Sequence, residues 1–182
     1  MTGSPASRQK PGVSDRTDEF RAIYSAHHAA LCAYFARRVG RGEVEDLVAE
    51  TFVVAWRKLP RRIEHPLPWL YAVAGKVLAN HRRKAARRDG VDIGDRLAGT
   101  APADPAETLS DRHLAQAFAQ LSERDREAIR LVAWEGLSLA DAARAARCGA
   151  PAFAVRLSRA RRRLQGLLED DFAPVIEGIR HA

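Results

Sequence analysis

The chain contains 182 residues, 46% of them hydrophobic and 29% charged, which allows a buried core and argues against wholesale disorder. Lysine and arginine number 30 against 23 acidic residues, for a net charge of +7, and 26 of the 30 are arginine. This excess favours a polyanionic partner, with nucleic acid ahead of acidic lipid. Cys32 and Cys148 have neither disulfide nor zinc-ligand spacing, so no metal or other cofactor is expected. Because no membrane-spanning segment or signal peptide is visible, we expect a cytoplasmic protein without membrane insertion.

Helical periodicity dominates the first half, and strand signals are nearly absent. Apolar residues at three- and four-residue spacing predict helices over residues 18–38 and 43–59. Three prolines predict a loop over residues 60–68. A third helix is expected from residue 68 or 69 to about residue 88, and these three helices form a compact domain.

The chain changes character over residues 89–110, which carry five acidic residues against one arginine together with glycines and prolines. This composition predicts a flexible acidic linker. Helical patterning returns at 113–121, at 123–134 after a Ser122 cap, at 139–147 and at 151–168. Ser138 and Asp141 fit a capping box, and Pro151 suits a first helical turn.

The predicted fold is therefore all-α, with two small helical domains at 18–88 and 111–169 joined by the flexible linker. The second contains a helix-turn-helix, since two short helices flank a tight turn. Residues 1–17 are expected to be a disordered tail, and 170–182 a further tail about which the sequence says little.

The last predicted helix has a basic face that suits DNA. If Phe153, Leu157 and Ala160 point inward, arginines occupy the neighbouring face and can reach phosphates and guanine edges. These arginines are Arg156, Arg159 and Arg163, with Arg162 further round. The alternative is a solvated basic face on an ordinary helical bundle.

The third helix of the first domain carries a second basic face, opposite its apolar side. Its residues are Lys76, Asn80, Arg83 and Arg87. Trp56, Trp69 and Tyr71 lie nearby in sequence and could stack on unpaired bases. The alternative for Trp56 is a place in the core.

Unlike the third helix, the second helix has an acidic outward stripe, which suits a basic protein surface. The stripe consists of Glu43, Asp46, Glu50 and Val53. Asp46 and Glu50 also have the spacing of a metal pair in a nuclease, although no third ligand is apparent. His27 and His28 have no partner motif and are interpreted as structural.

Several segments resemble the sigma-70 family of bacterial transcription initiation factors. Residues 45–56, EDLVAETFVVAW, are similar to the helix that binds core polymerase, and residues 68–74, PWLYAVA, to the promoter −10 helix. LSERDR at 121–126, LSLADAA at 137–143 and RLSRAR at 156–161 resemble the domain that recognises the −35 element. The two-domain layout is similar to the extracytoplasmic-function (ECF) subgroup, and the likeness covers about 18–168.

The resemblance implies a factor that binds core RNA polymerase and directs promoter-specific initiation without being an enzyme. Its partners would be the β′ clamp helices, the β flap, promoter DNA and an anti-sigma factor. The implied polymerase-binding residues are Glu43, Asp46, Glu50 and Val53. The implied −10 residues, beside the loop after Leu59, are Trp69, Lys76, Asn80, Arg83 and Arg87. The implied −35 residues are Ser138, Asp141, Arg156, Arg159, Arg162 and Arg163.

The chain also departs from the family pattern. Ala49 stands where the family usually has glutamine, and Gly75-Lys76 and Asn80 replace its Arg-Asn and Asp. Arg147 replaces the glycine of the helix-turn-helix turn, and we expect Gly149 to serve that turn instead. Residues 150–152 and 154 carry no hydrogen-bonding side chains, which predicts −35 binding through phosphates and DNA shape.

Two other functions remain open from sequence. A free-standing helix-turn-helix regulator would bind duplex DNA alone, although no dimerisation helix is visible. A metal-dependent nuclease would use Asp46 and Glu50.

Overall fold

The computed structural model describes residues 13–88 and 109–180, with side chains at 15–88 and 112–169. These ranges contain seven α-helices and a short 3-10 helix, Arg41–Glu43, and no strand. The helices are α1 Val13–Ala36, α2 Val44–Lys58, α3 Pro66–Arg88, α4 Leu109–Ala119, α5 Glu123–Ala133, α6 Leu139–Ala145 and α7 Ala150–Arg180. The all-α prediction is confirmed.

The first three helices pack on one another around an apolar core. Leu31 and Phe35 of α1, Val48 of α2, and Leu70 and Ala74 of α3 are all almost completely buried there. Val73 and Val77 of α3 are also buried, on the apolar side opposite its predicted basic face. This core fixes which faces of α2 and α3 reach solvent.

The last four helices form a second group in which α7 contacts α4, α5 and α6. Phe153, Leu157 and Ala160 of α7 are buried, as the spacing predicted. Ser122 caps α5, because its side chain accepts a hydrogen bond from the Asp125 backbone N–H at 3.2 Å. Its neighbour Leu121 completes this core and is also buried.

Several predicted boundaries were wrong. Helix α1 begins at Val13, inside the predicted disordered tail, and ends at Ala36. Helix α3 begins at Pro66, where proline's fixed φ and missing N–H suit the first helical position. Helix α4 begins at Leu109, inside the predicted linker, and α7 continues to Arg180. Most of the predicted linker, residues 89–108, and the first part of the tail, residues 1–12, lie outside the described residues.

Candidate nucleic-acid and protein-binding surfaces

The outward side of α2 presents the predicted acidic stripe to solvent. Asp46 and Glu50 are exposed, and Val53 is 50% exposed. Glu43 lies in the 3-10 helix that precedes α2, where one carboxylate oxygen is 2.7 Å from His81 Nε2 and the other accepts from the Gly40 N–H. The stripe therefore has two free carboxylates and one that is already engaged within the chain.

An aromatic cluster lies at the edge of the same helix pair. Phe20 contacts both Phe52 and Trp56 edge-on, with ring centroids 6.1 and 5.1 Å apart. Tyr24 lies 4.5 Å from Phe52, and Arg16 covers the Trp56 ring at 5.0 Å. Trp56 is 36% exposed and lies at the rim, so the alternative of a place in the core does not hold for it. An aromatic surface thus adjoins α2.

His27 and His28 of α1 are both half-buried. His28 stacks on Phe52 with ring centroids 6.1 Å apart, and its Nδ1 lies 3.6 Å from Cys32 Sγ. Burial lowers the pKa of His27. The contacts of His28 agree with the structural interpretation of that side chain.

The predicted basic face of α3 is continuous and exposed. Lys76, Asn80, Arg83 and Arg87 all lie on the solvent side. The Arg83 guanidinium donates to Asn80 Oδ1, and Arg87 Nε donates to the Arg83 carbonyl at 3.3 Å. Trp69 is half-buried at the start of the helix and packs against the core. The face can contact phosphates, while Trp69 is only partly accessible for stacking.

Arg147 lies in the turn between α6 and α7 and adopts φ 57°. This left-handed conformation is usually adopted by glycine at the end of a helix. The Arg147 N–H donates to the Arg144 carbonyl at 3.1 Å, and the Cys148 N–H donates to the Ala143 carbonyl at 3.0 Å. These bonds form a Schellman motif. The expectation that Gly149 serves the turn was therefore wrong.

Helix α7 presents its arginines as the spacing predicted. Arg159, Arg162 and Arg163 are exposed, while Arg156 is half-buried with Nη1 3.9 Å from Cys148 Sγ. Buried apolar residues on the opposite side of the helix fix this orientation. The exposed arginines are free to contact DNA phosphates.

Ser138 and Asp141 are engaged at the start of α6. The Ser138 hydroxyl accepts from the Asp141 N–H at 3.1 Å and donates to the Asp141 carboxylate at 2.8 Å. Asp141 also accepts from Arg144 at 2.9 Å and lies 3.3 Å from His65 Nδ1. The Ser138 hydrogen bond, with help from Arg144 and His65, lowers the pKa of Asp141. Ser138 caps α6, but the Asp141 carboxylate accepts from the Ser138 hydroxyl and not from its backbone N–H, so the reciprocal bond of the predicted capping box is not seen. Both side chains are therefore engaged in structural contacts.

The two helical groups contact each other through an ion-pair cluster centred on Arg38. Its Nε donates to Glu127 at 2.9 Å and its Nη1 to Glu135 at 2.8 Å, while the guanidinium lies 3.5 Å from the centroid of the Tyr34 ring. The side chains of Arg38 and Glu135 are 0% and 1% exposed. Buried charges of this kind require near-complete pairing, and here each has an opposite charge.

Further polar contacts surround this cluster. Arg37 also pairs with Glu135, and the Tyr71 hydroxyl donates to the same carboxylate at 3.4 Å. Burial, followed by the charge of Glu135, raises the pKa of Tyr71 to about 12. Arg82 donates to Glu123 at 2.6 Å. Burial of Glu123 works against ionisation, but Arg82 and its neighbours outweigh it and lower the pKa.

A cleft of about 620 Å³ lies beside this contact, between α3 and the helix-turn-helix. Lys76 and Arg83 line it from α3, and Arg147 and Arg156 line it from the other side. The two predicted DNA-binding faces therefore border the same space.

Membrane spans and metal-binding groups are both absent from the described part of the chain. No helix among the described residues is long and apolar enough to cross a membrane. Within the same ranges, no three His, Cys, Asp or Glu side chains form a metal-binding group, Asp46 and Glu50 included.

Two family models match the chain, and together they include the acidic stripe of α2 and the basic faces of α3 and α7. Sigma-70 region 2 matches residues 23–88, and Sigma-70, region 4 matches residues 112–164. ECF RNA polymerase sigma factor SigL of Mycobacterium tuberculosis is 34% identical over 130 residues, which cover 68% of this chain and 73% of SigL. This chain belongs to the ECF subgroup of the sigma-70 family.

Further relatives support this family assignment. ECF sigma factor BldN of Streptomyces coelicolor is 30% identical over 163 residues, covering 85% of this chain but only 62% of the length of BldN. The sigma factor RpoE of Bartonella quintana, solved in complex with the anti-sigma factor NepR, is 31% identical. The match covers 86% of this chain and 98% of RpoE, with a TM-score of 0.58.

In the terms of this family, α1 to α3 form region 2 and α4 to α7 contain region 4. The faces of α2, α3 and α7 were predicted from the sequence, but the contact between the regions was missed. Arg38, Glu127 and Glu135 were not singled out, because each looks like a solvated charge next to an apolar helix face. Partners 89 and 97 residues apart leave no periodic signal.

Proposed function

We propose that this sigma factor binds bacterial core RNA polymerase through α2 and directs it to promoters. Region 2 recognises and opens the −10 element, and region 4 binds the −35 element. The observation that carries the proposal is the division of the surface into one acidic helix and two basic helical faces, held within matched family regions. The factor acts in the cytoplasm with the polymerase and catalyses no step itself.

The polymerase contact is assigned to Asp46, Glu50 and Val53. Glu43 becomes available once its hydrogen bond to His81 is broken. Two exposed carboxylates one turn apart attract a basic coiled coil, and Val53 with the rim of Trp56 adds apolar area. The β′ clamp helices are the proposed partner here, and the β flap the proposed partner of region 4.

The DNA contacts follow from the two basic faces. The −10 region is held by Lys76, Asn80, Arg83 and Arg87. The partly exposed Trp69 meets an unstacked base. Trapping such bases offsets an unstacking cost of about a few kcal/mol per step. Arg156, Arg159, Arg162 and Arg163 hold phosphates near −35. Ser138 and Asp141 serve mainly to orient α6.

An anti-sigma factor is the proposed regulator. The Bartonella relative was solved with one, and CnrH, which is 26% identical with a TM-score of 0.58, was solved with the cytosolic domain of CnrY. The exposed apolar side chains of both regions, Tyr24 and Val53 in region 2 and Trp134 in region 4, offer surfaces for such a protein.

The polymerase contact can be tested by reversing charge on α2. The double variant D46R/E50R should lose at least about tenfold in affinity for core polymerase, because both opposite-charge contacts become repulsive. Affinity is measured by fluorescence titration, and circular dichroism checks the helical content. D18R/E169R, with the same change of charge at exposed sites outside α2, should bind as the wild type does. Equal affinity in both variants would remove α2 as the docking helix.

A further inference from the structure

The exposed side of α7 is apolar in its first turns and basic in the turns that follow. We propose that the exposed apolar side chains, Pro151, Ala152 and Val155, recognise thymine C5-methyl groups in the major groove of the −35 element. Val155 is the main specificity-determining residue among them. The inference rests on the proposed function, because it names the chemistry by which region 4 selects its DNA sequence.

The sequence of α7 changes abruptly after Val155. Residues 150–155, APAFAV, contain no charged, hydroxyl or amide side chain. Residues 156–163, RLSRARRR, contain five arginines. The second part of the helix can therefore bind phosphates, whereas the first part can offer DNA only apolar contacts.

The fold directs both parts of α7 to the same side. Phe153 is fully buried, and its N–H donates to the Gly149 carbonyl at 3.0 Å, so helical geometry is already established in the first turn. Four exposed residues at intervals of four, four and three follow one face of this helix: Pro151, Val155, Arg159 and Arg162. The Val155 side chain is 51% exposed on this face. A duplex that binds the arginines of this face therefore also meets Val155.

Thymine is the base that apolar side chains can recognise directly. All four bases display hydrogen-bonding groups in the major groove, but thymine alone adds a methyl group, which apolar side chains contact. The N-terminal residues of a recognition helix are the ones that reach base edges.

The dimensions of α7 allow base and phosphate contacts at the same time. Arg159 and Arg162 lie about 6 and 11 Å further along the helix axis than Val155, at 1.5 Å per residue. The major groove is about 12 Å wide, so these arginines can reach the phosphates that border it while Val155 faces the base edges. We therefore expect the −35 element to contain A·T pairs, which offer a methyl group in either orientation.

The test uses a promoter duplex mapped with the holoenzyme of bacterial core polymerase and the full-length chain. In a second duplex, deoxyuridine replaces every thymine of the −35 element. It lacks the methyl group but keeps the hydrogen-bonding groups of thymine. Holoenzymes are assembled with the wild type, with V155A and with the control L114A, which shortens an apolar side chain of α4 that is 43% exposed. V155A should keep the fold, because alanine is a better helix former than valine and this side chain lies outside the core.

Fluorescence titration gives each holoenzyme a ratio of affinities for the thymine and uracil duplexes. The wild-type ratio should be about four for each methyl group that the helix covers, since burial of one such group has about this effect. In V155A the ratio should fall toward one, through weaker binding of the thymine duplex. L114A should keep the wild-type ratio.

Equal ratios in the wild type and V155A would show that uracil acts through DNA shape, and would overturn the inference. A wild-type ratio of one would overturn it as well, and so would a mapped −35 element without any A·T pair. If core polymerase and the chain together produced no promoter-specific start sites, the proposed function itself would be overturned.

Discussion

Arg147 holds a conformation that costs an arginine roughly 1 to 2 kcal/mol, because its Cβ crowds the backbone at positive φ. Glycine avoids this strain but loses more chain entropy on folding. We therefore expect R147G to raise the free energy of unfolding by about 0.5 to 1 kcal/mol. Urea titration measures the change. R144G, three residues earlier in helical conformation, should instead lower it by about 1 kcal/mol. A loss of stability in R147G would mean that the arginine side chain supports the turn.

The conformation of Arg147 could not be predicted from the sequence alone. The missing turn glycine was visible in the sequence, but its consequence was misjudged, because the turn geometry depends on hydrogen bonds from Arg147 and Cys148 back to α6. Arg38 is the stronger example. It follows an amphipathic helix, where an arginine is usually solvated, and only the folded chain brings Glu127 and Glu135 to it.

At the scale of elements, the helices were predictable because apolar spacing, serine caps and prolines agree at most positions. The buried sides of α3 and α7 matched the spacing residue by residue. Helix boundaries were less predictable where the flanking residues are compatible with either helix or loop. Pro66 begins α3 because proline is tolerated in a first turn, and the polar residues before Asp18 carry no stop signal. The faces of the candidate sites followed from the same periodicity.

Helix α7 gives a test of its own. R156A/R159A should weaken binding to a mapped promoter duplex and reduce the slope of log K against log salt concentration by about 0.9 for each phosphate that the variant no longer binds. R21A/R112A removes two exposed arginines from α1 and α4 and should leave the slope unchanged. Filter binding over a series of salt concentrations measures both. An unaltered slope in R156A/R159A would show that this helix does not touch the DNA backbone.

At the scale of the whole molecule, composition correctly favoured nucleic acid, and the resemblance to sigma factors was confirmed by both family models. The relative placement of the two regions could not be predicted, because it depends on a few long-range ion pairs with no local signature. That placement leaves the acidic face of α2 exposed and brings the basic faces of α3 and α7 to one cleft.

The most direct test of the sigma assignment is initiation itself. Purified chain is added to bacterial core RNA polymerase with genomic DNA of its host, and transcript 5′ ends are mapped with and without the chain. We predict start sites that appear only when the chain is present and that share sequence elements near −10 and −35. Identical 5′ ends in both reactions, together with tight duplex binding by the chain alone, would contradict the assignment and support a free-standing DNA-binding regulator.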